Sequence, residues 1–331
     1  MTGKELPTLD VVIVNWNSGG YLKSCIESIN KSEMQGISYR IIIVDNGSED
    51  ISRNYIDSLT GNPEYIIIQN NENKGFSAAC NRGAMSSSSE YILFLNPDTV
   101  MNRTSIADAL KILSLQENKK YGIAGIQLIN EQGSVQKSCS RFPTCLSMIG
   151  NSIGLDRLFP KIFHPHFMLE WDHDETRAVD QVIGAFFLVR RCVYEELNGF
   201  DERYFVYYED LDFAMRAKAK TWSSLYIADV RAMHAGGGST TKVPATRLFY
   251  HLNSRVLFSL KHFGKGRTAI LLLFTLFVEP FSRIANLFIR RDYGNINSVI
   301  IAYAKFVTHQ MKLMLHVLMT AKKNPPHRRV L

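Results

Sequence analysis

Short apolar runs alternate with helical patterns along the first hundred residues. Four runs rich in branched and aromatic residues, at 11–14, 41–44, 65–69 and 91–95, predict strands. Between them, apolar residues recur at helical spacing in the segments 21–30, 51–59 and 78–85. Strand, turn and helix thus alternate with a period of roughly 25 to 35 residues, which is typical of a parallel sheet covered by helices. We therefore predict an α/β fold for this part of the chain.

Polar side chains follow three of the predicted strands directly. Asn15 and Asn17 follow the first strand, Asp45 and Asn46 follow the second, and Asp98 follows the fourth. Because Pro97 cannot donate to a sheet ladder, the fourth strand must end before Asp98. The carboxyl ends of parallel strands meet at one edge of an open sheet, where ligands bind, so we expect these side chains to converge there.

Asp98 has two interpretations at this point. It either caps Thr99 and a helix that follows, or binds a divalent cation that holds a diphosphate. No GxGxxG motif follows the first strand and no Walker A sequence occurs, which disfavours a dinucleotide-binding fold and a P-loop.

The pattern becomes irregular between residues 133 and 177, which is typical of a substrate-facing loop. This segment contains His164, His166 and His173, whose spacing fits no closed metal site, so we expect them in a solvent-exposed loop. Strand-like runs return at 182–190 and 227–234. The second run ends at His234, and three glycines at 236–238 then allow a backbone to approach a ligand closely.

An acidic segment opens the helix predicted after residue 208. Glu209 and Asp210 fall at its N-terminus, where the helix dipole favours negative charge, and two tyrosines precede them. Two interpretations agree with this position. The carboxylates either only interact favourably with the helix dipole, or form a catalytic site behind an aromatic wall. Asp212 and Arg216 are four residues apart and are expected to pair along the helix.

Composition narrows the choice of partners. The 331 residues are 46% hydrophobic, enough for one large domain or two. The net charge is +7, but no nucleic-acid motif interleaves aromatic and basic residues, so a membrane surface or a phosphorylated substrate is favoured over nucleic acid. Five Cys without a CxxC pair predict reduced thiols and a cytosolic location, and the N-terminus lacks the apolar core of a signal peptide.

The chain changes character after residue 264. The segment 269–278 is almost wholly apolar, but it is shorter than the ~20 residues that a membrane span needs. A second helical segment, 299–319, separates apolar from basic residues, and the tail is strongly cationic. We expect these helices to lie on an anionic bilayer at the inner face of the cell membrane. The alternatives are a helical cap on the core and a homodimer interface.

Short motifs follow one another in a distinctive order between residues 11 and 264. They are VNWN at 14–17, VDNGS at 44–48, NxGFxxxxN at 73–81, FLNPD at 94–98, GFDE at 199–202, EDxDxxxR at 209–216, His234, and KHFG at 261–264. With these motifs the chain resembles the inverting glycosyltransferases of family 2. Within that family it is similar to the bacterial rhamnosyltransferases that build O-antigen and related cell-surface polysaccharides.

The resemblance implies a GT-A fold, which is a Rossmann-like, mostly parallel central sheet with flanking helices. It implies a domain at 1–264, with a nucleotide-sugar half at about 9–130 and an acceptor half at about 131–264, before an arm at 265–331. It also implies roles for residues. The donor-binding candidates are Asn15, Asn17, Asp45, Gly75, Asn81, Asn96 and Asp98; the ligands of Mg²⁺ or Mn²⁺ are Asp98 and His234; the catalytic pair is Asp210, the base, with Glu209.

The expected reaction is inverting transfer of L-rhamnose from dTDP-rhamnose to a hydroxyl of a lipid-linked or polysaccharide acceptor. A UDP-sugar donor and a non-catalytic nucleotide-sugar-binding protein are the alternatives. Two positions depart from the family pattern. Asn96 stands where many members have Asp, and Gln181 stands where related sequences often have Trp.

Overall fold

The computed structural model describes residues 7–61, 63–236 and 243–323, with the backbone alone from 314 to 323. The strands are β1 (Thr8–Asn15), β2 (Ser38–Asp45), β3 (Glu64–Gln69), β4 (Tyr91–Leu95), β5 (Thr99–Met101), β6 (Tyr121–Ile129), β7 (Cys139–Ser140), β8 (Arg177–Val179), β9 (Gln181–Val182), β10 (Phe186–Arg190) and β11 (Ser223–His234). The helices are α1 (Gly20–Asn30), α2 (Ile51–Asp57), α3 (Phe76–Met85), α4 (Ser105–Ser114), α5 (Cys145–Ile153), α6 (Leu155–Leu158), α7 (Arg191–Glu196), α8 (Glu209–Ala219), α9 (Pro244–Phe263), α10 (Lys265–Phe277), α11 (Glu279–Ile289) and α12 (Ile296–Lys323).

A mixed sheet runs through the centre of the molecule in the order β3-β2-β1-β4-β10-β6-β11-β5, with β8 paired to β11. The half formed by β3, β2, β1 and β4 is parallel. In the other half, β10 is antiparallel to both β4 and β6, while β11 is parallel to β6. The predicted α/β class with a mostly parallel sheet is confirmed.

Helices cover both faces of the parallel half, because successive strand side chains point to opposite faces. Val11 and Ile13 of β1 pack in the cluster that contains α1, whereas Val12 packs in the cluster that contains α3. Helix α3 comes unusually close to the sheet at Gly83, where an added Cβ would lie 2.5 Å from a methyl of Val12. All five residues of β4 are buried, as expected for a central strand.

Three expectations about local structure are wrong. A short strand, β5, follows Asp98 instead of a helix, and it pairs with the end of β11. The run at 182–190 is two strands, because the chain turns at Gly184, whose backbone N–H donates to Asp210. The irregular segment contains helix α5, which Thr144 and Ser147 start with reciprocal side-chain caps.

The expectation of an exposed histidine loop is also wrong for His173. Its ring is fully buried and stacks on Trp171 with ring centroids 4.2 Å apart. Its Nδ1 donates to the Trp171 carbonyl oxygen at 3.0 Å, and its Nε2 accepts from the Cys139 N–H at 3.2 Å. Because both ring nitrogens are satisfied inside the protein, this polar side chain can be buried without the usual cost.

The helices after residue 264 pack against the rest of the chain. Helix α10 lies against α9 and α5, and α12 lies against α9. Leu252 of α9 packs with Val299, Tyr303 and Phe306 of α12 in one buried cluster. Within the described residues, no single helix is long and apolar enough to cross a membrane, although α10 and α11 together reach that length with a bend of 43° between them.

A buried ion pair ties α11 to α9. The Arg255 guanidinium donates to both carboxylate oxygens of Glu279 and to the Thr275 hydroxyl, and Arg283 donates to Glu279 from the cleft side. Burial would raise the pKa of Glu279, but the charges of Arg255 and Arg283 lower it overall. The carboxylate therefore remains ionised between two cations.

Replacing Glu279 by Gln should strongly destabilise the protein. The change leaves the Arg255 charge buried without a counter-ion, which costs about 3–5 kcal/mol of unfolding free energy. The matched control is Glu33→Gln, which breaks an exposed pair with Arg103 and should cost no more than about 1 kcal/mol. Urea denaturation measures both variants, and equal midpoints for the two would contradict a structural role for the buried pair.

Candidate active site

A cleft of about 1330 Å³ opens at the carboxyl ends of β1 and β4. Asn96, Pro97 and Asp98 line its floor at the strand ends, the start of α8 lines one wall, and residues of α9, α11 and α12 line an adjoining wall. Drug-sized ligands occupy pockets of about 300–1,000 Å³, so this cleft has room for two substrates side by side.

Asp98 and His234 meet at the floor of the cleft. His234 is the last residue of β11 and pairs with Thr99 of β5, so the strand pairing sets its ring beside the carboxylate. His234 Nε2 lies 3.3 Å from Asp98 Oδ1. The Gln136 side-chain amide donates to the His234 carbonyl oxygen at 2.7 Å. This orientation turns Gln136 Oε1 toward His234 Nδ1, which lies 2.9 Å away. Gln136 therefore holds the hydrogen on Nδ1.

This arrangement fits a divalent cation. His234 Nε2 is buried and has no hydrogen-bond partner among the described residues, so its lone pair faces a carboxylate. A metal ion beside Asp98 would take up this lone pair. No group of three His, Cys, Asp or Glu side chains surrounds a metal position in the described ranges. Mg²⁺ commonly takes one or two protein ligands and fills its shell with waters and substrate phosphates, so two ligands suffice.

Glu209 and Asp210 stand at the N-terminus of α8, as predicted. Asp210 Oδ2 accepts from the Gly184 N–H at 2.9 Å and Oδ1 accepts from the Leu211 N–H at 2.8 Å. The Gln181 side chain adds another hydrogen bond to the same carboxylate. Glu209 is buried, and its Oε2 has no hydrogen-bond partner among the described residues. Adjacent carboxylates thus have very different surroundings.

These surroundings assign the charge to Asp210. Burial, and then the neighbouring Asp210 charge, raise the pKa of Glu209 well above its ordinary value. Burial also raises the pKa of Asp210, but the hydrogen bonds from Leu211, Gly184 and Gln181 oppose that rise. Two adjacent buried carboxylates do not ionise together easily, and the one with the donors holds the negative charge.

Tyr207 and Tyr208 lead into the carboxylate pair through an unusual backbone. Both have left-handed conformations, with φ of 71° and 70°. Such residues cost about 1–3 kcal/mol each and cluster at functional sites. Both tyrosines line the cleft beside Glu209, so they form the predicted aromatic wall.

The base of α8 is fixed by a buried charge network around Asp212. The predicted pair with Arg216 is present at 2.7 Å, and Lys261 and His262 contact the same carboxylate at 2.7 and 2.8 Å. Burial would raise the pKa of Asp212, but His262, Lys261 and Arg216 lower it overall. The motif at 261–264 therefore anchors the helix that carries Asp210.

Asn15 and Asp45 form a buried polar network behind the edge of the sheet. Asn15 Nδ2 donates to Asp45 Oδ1 at 2.9 Å and to the hydroxyls of Ser48 and Ser52 at 2.9 and 2.8 Å. Asp45 also accepts from Gln69. The two residues converge as expected, but they are not among the described residues that line the cleft. Their contact with a nucleoside stays a prediction.

Gly75 and Asn81 have clear roles within the protein. Gly75 has φ of 91°, and an added Cβ would lie 2.7 Å from the Phe205 carbonyl oxygen. Only glycine at this position therefore lets the loop that contains Phe205 approach the start of α3. Asn81 donates to the Phe200 carbonyl oxygen and to Glu202, both at 2.9 Å, and accepts from the Phe200 N–H. Both residues position the loop before α8, and their contact with the donor stays a prediction.

Asn17 and Asn96 complete the predicted donor residues. Asn17 Oδ1 accepts from the Glu49 N–H at 2.9 Å, which ties the loop after β1 to the loop after β2. Asn96 lines the cleft next to Asp98, and its backbone N–H donates to the Ala185 carbonyl oxygen at 3.1 Å. Gly236 also lines the cleft, whereas Gly237 and Gly238 lie outside the described residues.

Sequence reasoning missed several residues that line the cleft. They are Trp16, Asn73, His166, Arg247, His251 and Arg283. Asn46, which was expected at this edge of the sheet, also lines the cleft. Two of the missed residues lay inside the quoted motifs, Trp16 in VNWN and Asn73 in NxGFxxxxN, and Trp16 directly follows the strand-end residue Asn15. Arg247, His251 and Arg283 carry no local signal, because only the packing of α9 and α11 brings them to the cleft.

Comparison with known proteins identifies the class of enzyme as a glycosyltransferase. Residues 10–171 match the family model described as glycosyl transferase family 2. This match and the relatives described below support a family 2 glycosyltransferase that resembles rhamnosyltransferases, as the sequence motifs predicted.

Two bacterial relatives match most of the chain. One is the N-acetylglucosaminyl-diphospho-decaprenol L-rhamnosyltransferase of Mycobacterium tuberculosis, 27% identical over 262 residues, which are 76% of this chain and 83% of the relative. The other is rhamnosyltransferase WbbL of Escherichia coli strain K12, 26% identical over 254 residues, which are 74% of this chain and 89% of the relative.

The fold also resembles a solved mannosyltransferase. This is PcManGT from Pyrobaculum calidifontis in complex with GDP-Man and Mn²⁺, with a TM-score of 0.53 at 15% identity. The alignment covers 97% of this chain and 82% of that chain. At this identity, the likeness supports the fold alone.

Proposed function

We propose that the protein transfers L-rhamnose from dTDP-rhamnose to a hydroxyl of a lipid-linked saccharide, with inversion at the anomeric carbon. The observation that carries the proposal is the separation of two sites in one cleft. Asp98 and His234 lie at the floor, and the ionised Asp210 stands on the wall formed by α8. The names of the two rhamnosyltransferase relatives support the sugar, and the name of the mycobacterial relative supports a diphosphate-linked lipid acceptor.

Each group has a defined task in this reaction. A divalent cation held by Asp98 and His234 would neutralise the charge that develops on the leaving diphosphate. Asp210 accepts the proton of the acceptor hydroxyl. At the same time the hydroxyl oxygen forms a bond to the anomeric carbon, and the bond from that carbon to the diphosphate breaks. A single displacement of this kind inverts the configuration. The aromatic wall of Tyr207 and Tyr208 keeps water from competing with the acceptor hydroxyl.

The direct test is a transfer assay preceded by a donor screen. Thermal shifts with dTDP-rhamnose and with UDP-sugars, each with Mn²⁺, identify the donor, because a bound ligand raises the melting temperature. NMR of the product then reports the anomeric configuration. Stabilisation by a UDP-sugar alone would overturn the choice of donor. Donor binding without transfer or hydrolysis would identify a non-catalytic binding protein instead.

We propose further that the arm holds the enzyme on the cytoplasmic face of an anionic membrane. Large apolar side chains of α10 and α11 are exposed, with Phe277 at 67%, Phe281 at 72% and Ile289 at 81%. Arg290 and Arg291 are exposed directly after this apolar surface. An interfacial helix has this combination of apolar burial and basic charge. The cationic residues 324–331 lie outside the described residues.

Replacing Phe281 and Phe288 together by Ser should reduce flotation with anionic liposomes at least ~10-fold. Burying one such side chain contributes about 1.5–3 kcal/mol, and salt does not remove this part of the binding. High salt should weaken the wild type without releasing it, because only the basic residues are screened. The matched control is Ile51→Ser with Met85→Ser, two exposed apolar residues on other helices.

Equal flotation of the two double variants would rule out α11 as the membrane contact. Sedimentation of the wild type without liposomes gives its oligomeric state. A dimer that Phe281→Ser with Phe288→Ser dissociates would assign the same surface to a homodimer interface.

A further inference from the structure

Helix α11 presents different chemistry to the cleft and to the outside. Arg283, Asn286 and Leu287 line the cleft, at spacings of three and four residues that place them on one face. Phe281 and Phe288 are exposed, at 72% and 56%, on another face. One helix therefore connects the interior of the cleft to the apolar surface of the arm.

The α11 side of the cleft carries excess positive charge. Two guanidinium groups, of Arg255 and Arg283, contact one carboxylate, that of Glu279. His251 lines the same part of the cleft, and its pKa is lowered to about 3 by burial and then by the charges of Arg255 and Arg283. Arg247 of α9 adds a further cation to this wall.

The cationic wall also offers neutral donors and apolar surface. Asn286, Asn295 and Ser298 line it with amide and hydroxyl groups, and Leu248 and Val299 lie among them. A guanidinium binds phosphate oxygens well, because its planar donors match their geometry. The described carboxylates that line the cleft are Asp98, Glu209 and Asp210, which belong to its floor and to α8, and none of them is on α9, α11 or α12.

We propose that Arg247 and Arg283 bind the diphosphate of a lipid-linked acceptor, so that its saccharide reaches Asp210 and its hydrocarbon chain leaves along α11. This assignment rests on the proposed glycosyl transfer and adds the position of the acceptor. It explains why one cleft has a carboxylate pair at one wall and guanidinium groups at the other. It also gives the apolar exposed face of α11 a place beside the lipid.

Geranyl diphosphate, a soluble ten-carbon diphosphate, tests the wall directly by calorimetric titration of the full chain. A chelator is present so that a metal at Asp98 cannot retain the probe. Arg247→Gln and Arg283→Gln should each weaken binding about 10-fold, the usual effect of losing one charge-assisted hydrogen bond. Arg283→Gln leaves Glu279 paired with Arg255, so the fold is kept.

Arg290→Gln is the matched control, because Arg290 ends the same helix and is exposed outside the cleft. It should bind the probe as the wild type does. If Arg290→Gln weakens binding equally, the effect comes from general surface charge and the proposal fails. Unchanged binding by Arg247→Gln and Arg283→Gln would also overturn the proposal. Displacement of the probe by soluble dihexanoyl phosphatidylglycerol at equal concentration would assign the wall to a lipid headgroup instead.

A kinetic comparison separates the acceptor from the donor. N-acetylglucosamine linked through diphosphate to a ten-carbon chain should be preferred over decyl N-acetylglucosaminide, and both arginine variants should reduce that preference about 10-fold. A rise in the KM of the donor instead would assign the wall to the donor diphosphate. If the wild type transfers to neither acceptor, the proposed reaction fails, while the titration still decides whether the wall binds a diphosphate.

Discussion

Asp210→Asn should lower kcat at least ~100-fold and leave donor binding nearly intact, because the change keeps the shape of the side chain and removes its proton acceptor. The asparagine can still accept a hydrogen bond from the Gly184 N–H through its oxygen, so the start of α8 is retained. Single-turnover rates with acceptor, together with a donor titration by thermal shift, separate loss of chemistry from loss of binding.

The matched control is Glu209→Gln. Burial and the Asp210 charge already favour the neutral form of Glu209, so an amide there should change the rate far less than Asp210→Asn does. If the order is reversed, with Glu209→Gln inactive and Asp210→Asn active, the base has been assigned to the wrong carboxylate.

The pH dependence gives an independent check of the base. Burial raises the pKa of Asp210 above its ordinary value of 3.8. The base works only when ionised, so kcat/KM should fall as the pH drops through this raised pKa, at a higher pH than an exposed aspartate would show. Asp210→Asn should remove this acid limb from the residual activity, whereas Glu209→Gln should retain it.

The parallel half of the fold was predictable because its signals are local. The runs that became β1, β2, β3 and β4 are apolar and end in polar residues, and each alternates with a helix of recognisable period. The antiparallel insertion of β10 between β4 and β6 was not predictable in this way. Strand order depends on pairing between residues that are 64 to 99 positions apart, which no short window of sequence contains.

The residues of the candidate site also fall into those with a local sequence signal and those without one. Asp98 and Asp210 were found because each lies close to the end of an element and within a motif. The partners that define their chemistry come from elsewhere: Gln136 orients His234 across 98 positions, and Gly184 reaches Asp210 across 26. Arg283 was missed altogether, because an arginine in an amphipathic helix has the same local pattern whether it faces a cleft or a membrane.

Asp98→Ala should lower kcat/KM at least ~100-fold and also abolish the Mn²⁺-dependent part of donor binding, since a metal ion contributes several kcal/mol to charge stabilisation. The combined loss of activity and of donor binding distinguishes Asp98 from Asp210, because Asp210→Asn should still bind the donor. The structural basis is the 3.3 Å approach of His234 Nε2 to Asp98 Oδ1, with Gln136 holding the hydrogen on the other ring nitrogen.

Two further variants decide whether the effect of Asp98 comes from its charge. Asp98→Asn keeps the volume of the side chain and should still lose most activity, because an amide is a much weaker ligand for Mg²⁺ or Mn²⁺ than a carboxylate. Asp172→Asn removes an exposed carboxylate, 94% accessible, and should have no effect. Melting temperatures with dTDP-rhamnose, measured with Mn²⁺ and with a chelator, report the binding term for each variant. Full activity of Asp98→Ala would show that transfer does not need Asp98, and full activity of the wild type in excess chelator would show that it needs no metal.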